Sequence, residues 1–317
     1  MTWTDPDAVD LERDRMRMDR HPGDDAGRTT MRLHILGSGM PVPGVGAHRH
    51  GSSYVLQRDD EYMMFDCGPA TTNKLMKAGI RPGWVDHLFF THHHYDHNVD
   101  YPCFLLTRWD ETLADTELQV FGPDLTEQIT HRLMDEDEGA FAPDWIARIN
   151  HPLSLGAYQR RGGVLPRRPP VTHAKDIGPG VVIDGPDWQV TTAPALHVQP
   201  WLDSLAYRLD TEEGSLVVTG DTAPCDSVIE LAQGVDTMVS LCAFVQEDID
   251  GTAEAAAMSG SRDVATMAQK AGASRLIVTH QNSGLDEPGQ TERAIRDMAR
   301  HYDGEIVWGE EMLVKQL

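Results

Sequence analysis

The feature that most constrains this chain is a histidine-rich run in its first third. Four potential metal ligands fall within six residues, in the spacing His-x-His-x-Asp-His: His92, His94, Asp96 and His97. Residues 85–91 (VDHLFFT) are rich in β-branched and aromatic residues, which predicts a short strand with the histidines on the loop that leaves its C-terminal end. Because residues two apart in such a segment point to the same side, His92 and His94 can hold one ion. Asp96 and His97 then face a second position.

The chemistry of this run indicates a metal site. Imidazole and carboxylate are the ligands that zinc prefers, and fewer than four protein ligands per ion leave a position open for water. A purification tag or a surface histidine cluster is the alternative. The run is internal and follows an apolar strand, which disfavours a tag.

Further candidate ligands occur later and earlier in the chain, each after an apolar run and before a turn or helix. They are Asp66, His197, Asp221 and His280. Polar side chains at strand ends are where α/β proteins usually build their sites. Taken singly, each has another use: His197 and His280 as loop histidines, Asp221 as a cap, and Asp66 as a turn former.

The order of these motifs resembles that of the metallo-β-lactamase-fold hydrolases, and most of all their ribonuclease Z and arylsulfatase-like branch. The resemblance extends from about Met31 to the C-terminus. It rests on residues 36–41 (LGSGMP), 65–68 (FDCG), 92–97, His197 with 206–208 (AYR), 219–222 (TGDT) and 279–280 (TH). It implies an α/β fold with four αββα layers, in which two mixed sheets pack face to face with helices outside.

The resemblance also implies roles for the candidate ligands. Residues matching His92, His94 and His197 hold one metal, and those matching Asp96, His97 and His280 hold the other. The residue matching Asp221 bridges the two, while the one matching Asp66 orients ligands without binding. The implied cofactor is one or two zinc ions, with iron or manganese as alternatives. The implied nucleophile is a metal-bound hydroxide, with Asp96 also a candidate catalytic base.

One departure from the ribonuclease Z pattern concerns the proton donor. That branch usually has a glutamate after the strand that follows Gly-Asp-Thr, and a histidine beyond it. Here the strand reads DTMVSLC over residues 236–242, and no histidine lies between His197 and His280. Without a strong general acid, an enzyme suits leaving groups that depart as stabilised anions. Other groups could replace the donor: Glu247, Asp248, Asp250, His93 or Tyr95.

Charge favours the same interpretation. The chain has 27 Lys and Arg against 50 Asp and Glu, a formal net charge of −23. Polynucleotide binding draws most of its affinity from basic side chains, so we expect no nucleic acid partner. The exception is a basic stretch at residues 160–168, which is either a solvated Pro- and Gly-stiffened loop or a lid or partner-docking loop near the site.

These observations predict a metal-dependent hydrolase acting on a small aromatic or apolar molecule with an activated leaving group. Esters, lactones, sulfate esters and electron-poor rings open to hydrolytic displacement are the expected substrates. Candidate pocket walls are Tyr95, Trp201 and Phe244, although core packing is the commoner fate of aromatics. A phosphodiesterase or ribonuclease Z-like nuclease is the first alternative. A non-catalytic metal-binding subunit of an assembly is the second.

Composition bounds the domain organisation. Residues 1–30 are rich in Asp and Arg, which predicts a charged tail or exposed helix that contributes to homo- or hetero-oligomer contacts. Residues 31–317 form the predicted hydrolase domain, with a helical and Pro/Arg-rich insert at about 124–180. No run approaches the roughly 18 apolar residues of a membrane span, so no membrane partner is expected. The four cysteines are widely spaced, which favours reduced thiols and a cytoplasmic location.

Overall fold

The computed structural model describes residues 31–42, 49–113 and 117–317. The tail predicted for residues 1–30 lies outside this part of the chain. None of the described helices has the length and apolar character needed to cross a bilayer.

The first sheet has seven strands in the order β14-β1-β2-β3-β4-β5-β6. They are β1 (Met31–Gly37), β2 (Ser53–Arg58), β3 (Glu61–Phe65), β4 (Val85–Phe89), β5 (Leu118–Gly122), β6 (Thr172–Asp176) and β14 (Leu313–Gln316). Strands β14, β1, β2 and β3 pair antiparallel, whereas β3, β4, β5 and β6 pair parallel. The parallel strands therefore end at one common edge.

The second sheet repeats this mixed arrangement, in the order β13-β12-β11-β10-β9-β8-β7. Its strands are β7 (Val182–Asp184), β8 (Trp188–Pro194), β9 (Leu205–Thr211), β10 (Ser215–Val218), β11 (Thr237–Leu241), β12 (Arg275–Thr279) and β13 (Glu305–Trp308). Strands β7 to β10 pair antiparallel and β10 to β13 pair parallel.

Helices connect and cover the strands. Before and within the predicted insert they are α1 (Thr71–Lys77), α2 (Tyr95–Asn98), α3 (Tyr101–Glu111), α4 (Thr126–Met134), α5 (Ala142–Asn150) and α6 (Pro152–Arg160). In the second half they are α7 (Asp226–Leu231), α8 (Gln246–Ile249), α9 (Ser261–Ala271) and α10 (Gln290–Met298). Three short 3-10 turns are Pro82–Trp84, Glu254–Ala256 and Ser283–Asp286.

Three apolar clusters separate the four layers. The end of strand β4 is covered on both sides: Phe89 packs between the two sheets, and Leu88 belongs to the cluster beneath helix α3. Alternate residues of a strand face opposite sides, so a strand covered on both sides needs apolar side chains at successive positions. A third cluster joins the second sheet to helices α9 and α10. The predicted αββα arrangement of two mixed sheets is confirmed.

The basic stretch at residues 160–168 packs against the end of α3. Arg167 is buried, lies over the rings of Trp109 and Tyr158, and forms an ion pair of 2.6 Å with Asp110. The same turn of α3 contacts the first residue of β4, since Arg108 Nε donates to the Val85 carbonyl. The histidine run follows the other end of β4. The stretch is therefore not fully solvated, because its Arg167 is buried against the end of α3 that contacts the start of β4.

Candidate metal centre

The candidate ligands lie where strands of the two sheets end. Asp66 follows β3, Asp221 comes shortly after β10, and His280 follows β12 directly. The histidine run continues from β4 into the one-turn helix α2, and His197 comes shortly after β8. Side chains from both sheets therefore meet at one edge, including pairs more than a hundred residues apart in the chain.

The first group of ligand atoms consists of three imidazoles. Nδ1 of His94 lies 3.0 Å from Nε2 of His92 and 3.2 Å from Nε2 of His197. All three nitrogens lie within 4.8 Å of one another. Such convergence of imidazole nitrogens is suited to a divalent metal ion.

A second group lies beside the first and contains Asp96, His97 and His280. Oδ2 of Asp96 is 3.3 Å from Nε2 of His280 and 3.4 Å from Nε2 of His97. His92, His97 and Asp221 form a third group that overlaps both others. The structure thus describes two adjacent positions.

Asp221 stands between these two positions. Its Oδ2 lies 3.1 Å from Nε2 of His280 and 3.9 Å from Nε2 of His197, which belong to different groups. Its Oδ1 lies 3.5 Å from Nε2 of His97. A single carboxylate can therefore reach an ion at either position.

The charges within this cluster are strongly coupled. Burial and the neighbouring His97 hold the pKa of His92 well below its ordinary value, which keeps the imidazole neutral. Burial opposes ionisation of Asp96 and Asp221, yet the pKa of each carboxyl is lowered, chiefly by His97 and His280. Against the effect of burial, Asp221 and the other carboxylates raise the pKa of His97. Two buried carboxylates thus depend on positive charge beside them.

Unpaired atoms in the cluster fit a bound cation. Oδ1 of Asp96 and Nε2 of His97 are buried without a hydrogen-bond partner, as is Nδ1 of His280. Buried polar atoms are normally paired, so those that are not require a reason. Ligation of a metal ion would satisfy the carboxylate oxygen and the His97 nitrogen at once.

Asp66 lies beside the cluster and is hydrogen-bonded to one of the candidate ligands, His97. It is fully buried, and its carboxylate accepts hydrogen bonds from Thr91 N at 2.7 Å and from His97 Nδ1 at 2.8 Å. The bond to Nδ1 turns Nε2 of His97 toward Asp96 and Asp221. Burial raises the pKa of Asp66, and the His97 and Thr91 contacts act against that shift. Its position is that of an orienting carboxylate.

Two glycines allow the backbone of α2 to approach the first sheet. A Cβ on Gly68 would lie 2.1 Å from the Asp96 carbonyl oxygen, and a Cβ on Gly51 would lie 2.2 Å from it. Both are nearer than any real Cβ contact. The side chains of Asp96 and His97 therefore reach the cluster only because these two positions lack a Cβ.

The three predicted pocket aromatics have different environments. Tyr95 is half exposed, and its hydroxyl donates to the Pro41 carbonyl at 2.5 Å. Trp201 is 88% exposed, on the loop after His197. Phe244 is partly buried, and its backbone pairs with Gly260.

His93, within the run itself, belongs to none of the ligand groups among the described residues, because its Nε2 lies 2.8 Å from Thr126 Oγ1.

Several residues that support the cluster were not expected from the sequence. The Thr91 hydroxyl contacts both Asp66 and Nδ1 of His92, and the Ala257 carbonyl lies 2.8 Å from Nδ1 of His197. Buried Arg49 donates hydrogen bonds to the side chains of Ser38 and Gln281. It therefore connects the loop at residues 36–41 to the residue that follows His280. The position of Thr91, a polar residue at the end of a strand, is a sequence signal that could have indicated its supporting role. The role of a backbone carbonyl such as that of Ala257 has no signal in the sequence.

Comparison with known proteins identifies relatives over most of the chain. Residues 62–281 match the family model described as Beta-lactamase superfamily domain. A protein named Ribonuclease Z from Mycobacterium sp. (strain KMS) is 28% identical over 286 residues, covering 88% of this chain and 93% of the relative. Another of that name, from Haloarcula marismortui, is 28% identical over 312 residues, covering 91% and 97%.

Solved structures share the fold at low identity. The metallo-beta-lactamase fold protein YhfI from Bacillus subtilis superposes with a TM-score of 0.69 at 19% identity, covering 91% of this chain and 100% of the other. The short form of human tRNase Z superposes with a TM-score of 0.63 at 18% identity, covering 90% and 98%. These likenesses concern the fold.

The comparisons contradict two of the sequence predictions. A small aromatic or apolar substrate with an activated leaving group is not supported, and the expectation of no nucleic acid partner is wrong, since the relatives are named as ribonucleases. Both predictions relied on the net charge and on the missing Glu/His proton donor. A net charge sums over the whole surface and does not define the potential at one cleft, so it was a poor guide to the substrate.

The histidine run, the paired sheets and the clustered ligands agree with the family match, which covers more than half of the sequence. Proteins of this fold bind metal ions at such clusters. The chain belongs to the β-lactamase superfamily and is a metal-dependent hydrolase with the metallo-β-lactamase fold.

Proposed function

We propose that this protein is a nuclease that hydrolyses phosphodiester bonds in RNA with the aid of two zinc ions. The observation that supports it best is the pair of adjacent ligand groups with the carboxylate of Asp221 between them. Two metal positions side by side suit the in-line displacement at a phosphodiester, where attacking and leaving oxygens both carry developing charge. The ribonuclease Z relatives, aligned over 88% of the chain, supply the substrate class.

The proposed ligand sets follow the geometry of the groups. His92, His94 and His197 hold one ion, and Asp96, His97 and His280 hold the other, with Asp221 bridging them. Zinc is proposed because five imidazoles and two carboxylates form a donor set that zinc favours over magnesium or calcium, which take mainly oxygen ligands. The residues 31–317 are proposed to form the one catalytic domain, with residues 124–180 inserted in it.

When bound, the ions would polarise a phosphoryl oxygen and lower the pKa of water toward neutrality. The protein residues hold the geometry for that chemistry. Asp96 stays ionised beside His97 and His280, so its carboxylate can serve as a ligand through Oδ1, which has no hydrogen-bond partner. Asp66 and the Ala257 carbonyl fix the ring orientations of His97 and His197.

A direct test compares cleavage of a precursor tRNA carrying a 3′ trailer with hydrolysis of bis-p-nitrophenyl phosphate and p-nitrophenyl acetate. Wild-type protein loaded with zinc should cleave the RNA and the phosphodiester but not the acetate. His94→Ala should lose more rate than the roughly 10- to 100-fold typical of changing a residue that only orients a ligand, because it removes a proposed ligand itself. His93→Gln is the matched control within the same run, because His93 faces Thr126.

Product mapping and metal analysis complete the test. Two zinc ions per chain and a defined RNA cleavage site support the proposal. Metal-loaded, folded protein that cleaves no phosphodiester contradicts it. Equal loss in His94→Ala and His93→Gln would show that the effect is on folding and not on the proposed ligand.

A further inference from the structure

The loop between β8 and β9 carries a candidate ligand and an exposed tryptophan. Its base is closed by a hydrogen bond of 3.0 Å from Ala195 N to the Ser204 carbonyl. At its far end, Leu205 N donates to the Thr91 carbonyl at 2.8 Å, directly before His92. The second bond attaches the end of the loop to the residue before His92, and the loop itself carries the candidate ligand His197.

Internal hydrogen bonds hold the tip of this loop. Gln199 accepts from His197 N at 2.9 Å through Oε1 and donates to the Ala195 carbonyl at 2.8 Å through Nε2. Trp201 N donates to the Val198 carbonyl at 3.1 Å, which forms a turn. The backbone of Trp201 is thus fixed relative to His197, and four Cα–Cα steps limit their Cα separation to about 15 Å.

Trp201 stands out by its exposure. At 88%, it is the most exposed large hydrophobic side chain in the described part of the chain, whereas Trp84, Trp145 and Trp188 are each at most 6% exposed. Tryptophan has the largest apolar surface of any side chain, and aromatic residues of this kind are enriched where proteins bind partners. Leu196, on the same loop, is also 46% exposed. A backbone that is fixed by hydrogen bonds and presents an exposed indole is suited to contact with a ligand.

The composition of the loop favours a nucleobase as that ligand. Residues 195–204 contain one Asp and no Lys or Arg, so the loop itself offers no basic side chain to neutralise a phosphate. Stacking of a base on an aromatic ring needs no basic side chain, and it tolerates any sequence because every base has a π face. A loop of this composition is therefore suited to contact RNA through its indole and not through phosphates.

We propose that Trp201 is a stacking platform for a nucleobase next to the scissile phosphodiester, and that it positions the RNA without taking part in the chemistry. The inference rests on the proposed nuclease function. It gives Trp201 a role in substrate specificity: single-stranded nucleotides flanking the cleavage site, whose bases are free to stack, are favoured over base-paired ones.

The test combines a protein variant with an RNA variant. Wild type and Trp201→Ala are compared on the RNA that the wild type cleaves and on the same RNA with one abasic nucleotide, placed in turn on either side of the cleavage site. Loss of one stacked base should lower kcat/KM about tenfold. Trp201→Ala should show that loss on intact RNA and no further loss on the abasic RNA of the stacked side. Trp201→Phe, which keeps a ring, should restore most of the activity.

Two results would overturn the inference while leaving the nuclease function intact. One is unchanged kcat/KM in Trp201→Ala. The other is an equal loss on intact and abasic RNA, which would mean that the indole does not act through a base. A thermal midpoint equal to that of the wild type is expected at so exposed a position, and this excludes misfolding.

A binding measurement separates the two proposals if the wild type cleaves no RNA. That outcome would count against the nuclease function. Titration with a single-stranded oligonucleotide should still quench tryptophan fluorescence in the wild type, and Trp201→Phe should abolish the quenching. Absence of quenching would overturn the role of Trp201 as well.

Discussion

The carboxylate of Asp66 and Nδ1 of His97 are joined by a hydrogen bond of 2.8 Å between two side chains that are both almost completely buried. The bond sets the direction of His97 Nε2, which lies 3.4 Å from Asp96 and 3.5 Å from Asp221. Because Thr91 binds the same carboxylate, the contact also attaches the end of β4 to β3. One buried carboxylate therefore orients a candidate ligand and joins two strand ends.

Replacing this carboxylate should weaken metal binding without removing a ligand. Asp66→Asn keeps the shape of the side chain but loses its charge, so His97 loses its anionic acceptor. We expect metal affinity and activity to fall about 10- to 100-fold, the usual effect of changing a residue that orients a ligand. Zinc titration by calorimetry and initial rates provide the measurement. Asp184→Asn, exposed on edge strand β7, is the control. Unchanged zinc affinity in Asp66→Asn would contradict this role.

The close approach at Gly68 makes a second prediction. Gly68→Ala would bring a Cβ to 2.1 Å from the Asp96 carbonyl, so the backbone of α2 must shift. Overpacking of this kind costs about 1–3 kcal/mol of unfolding free energy, and the shift should also reduce activity by displacing Asp96 and His97. Gly178→Ala, where a Cβ meets no atom within 4 Å, should leave both unchanged. Denaturant unfolding and rates at saturating zinc measure the two effects, and equal behaviour of the two variants would refute the argument.

Removal of metal should destabilise the folded protein. The ligand groups place two buried carboxylates together with five imidazoles, and a cation offsets the charge of the carboxylates. An ion that binds only the native state at 100 times its Kd stabilises it by about 2.7 kcal/mol. Chelation should therefore lower Tm by several degrees, and zinc should restore it. In Asp221→Asn the shift should shrink. A Tm that is independent of chelator in the wild type would argue against bound metal.

A fourth prediction concerns pH and a histidine outside the metal centre. His87 on β4 packs edge-on against Trp188 at 5.0 Å, and burial lowers its pKa below 6.5, an effect that the nearby Asp86 partly offsets. The unfolded chain therefore binds the proton more tightly. Stability from this group is complete above pH 6.5 and is lost as pH falls from there through the lowered pKa. A tenfold difference in proton affinity between the folded and unfolded states corresponds to about 1.4 kcal/mol.

His87→Gln removes that titration. Its unfolding free energy should fall less than that of the wild type between pH 7.5 and pH 5, as measured by denaturant unfolding at several pH values. The comparison isolates His87 from the other histidines, because they are present in both proteins. Parallel pH profiles for the two proteins would show that His87 does not contribute.

The sequence alone predicted which residues come together and in what fold. Histidines and aspartates at the ends of apolar runs carry a local signal, because a strand end places the next polar residue at the edge of its sheet. The strand before His92 was predicted as residues 85–91 and forms as Val85–Phe89. The αββα arrangement followed from the resemblance carried by those same motifs. The substrate was predicted wrongly, since net charge and a missing donor pair describe neither the shape nor the local field of a cleft.

The tertiary structure alone decided the distances between the ligands and the residues that hold them in place. His92 and His97 each lie in two of the three groups, and the Ala257 carbonyl fixes the ring of His197. No periodicity or spacing in the sequence indicates either relationship. Arg167 is likewise predicted from the sequence to lie in a loop, whereas the structure buries it between two aromatic rings. Local motifs depend on short-range geometry and can therefore be recognised in the sequence. The distances between ligands are set by the packing of one sheet on the other, and they exist only once both sheets are formed.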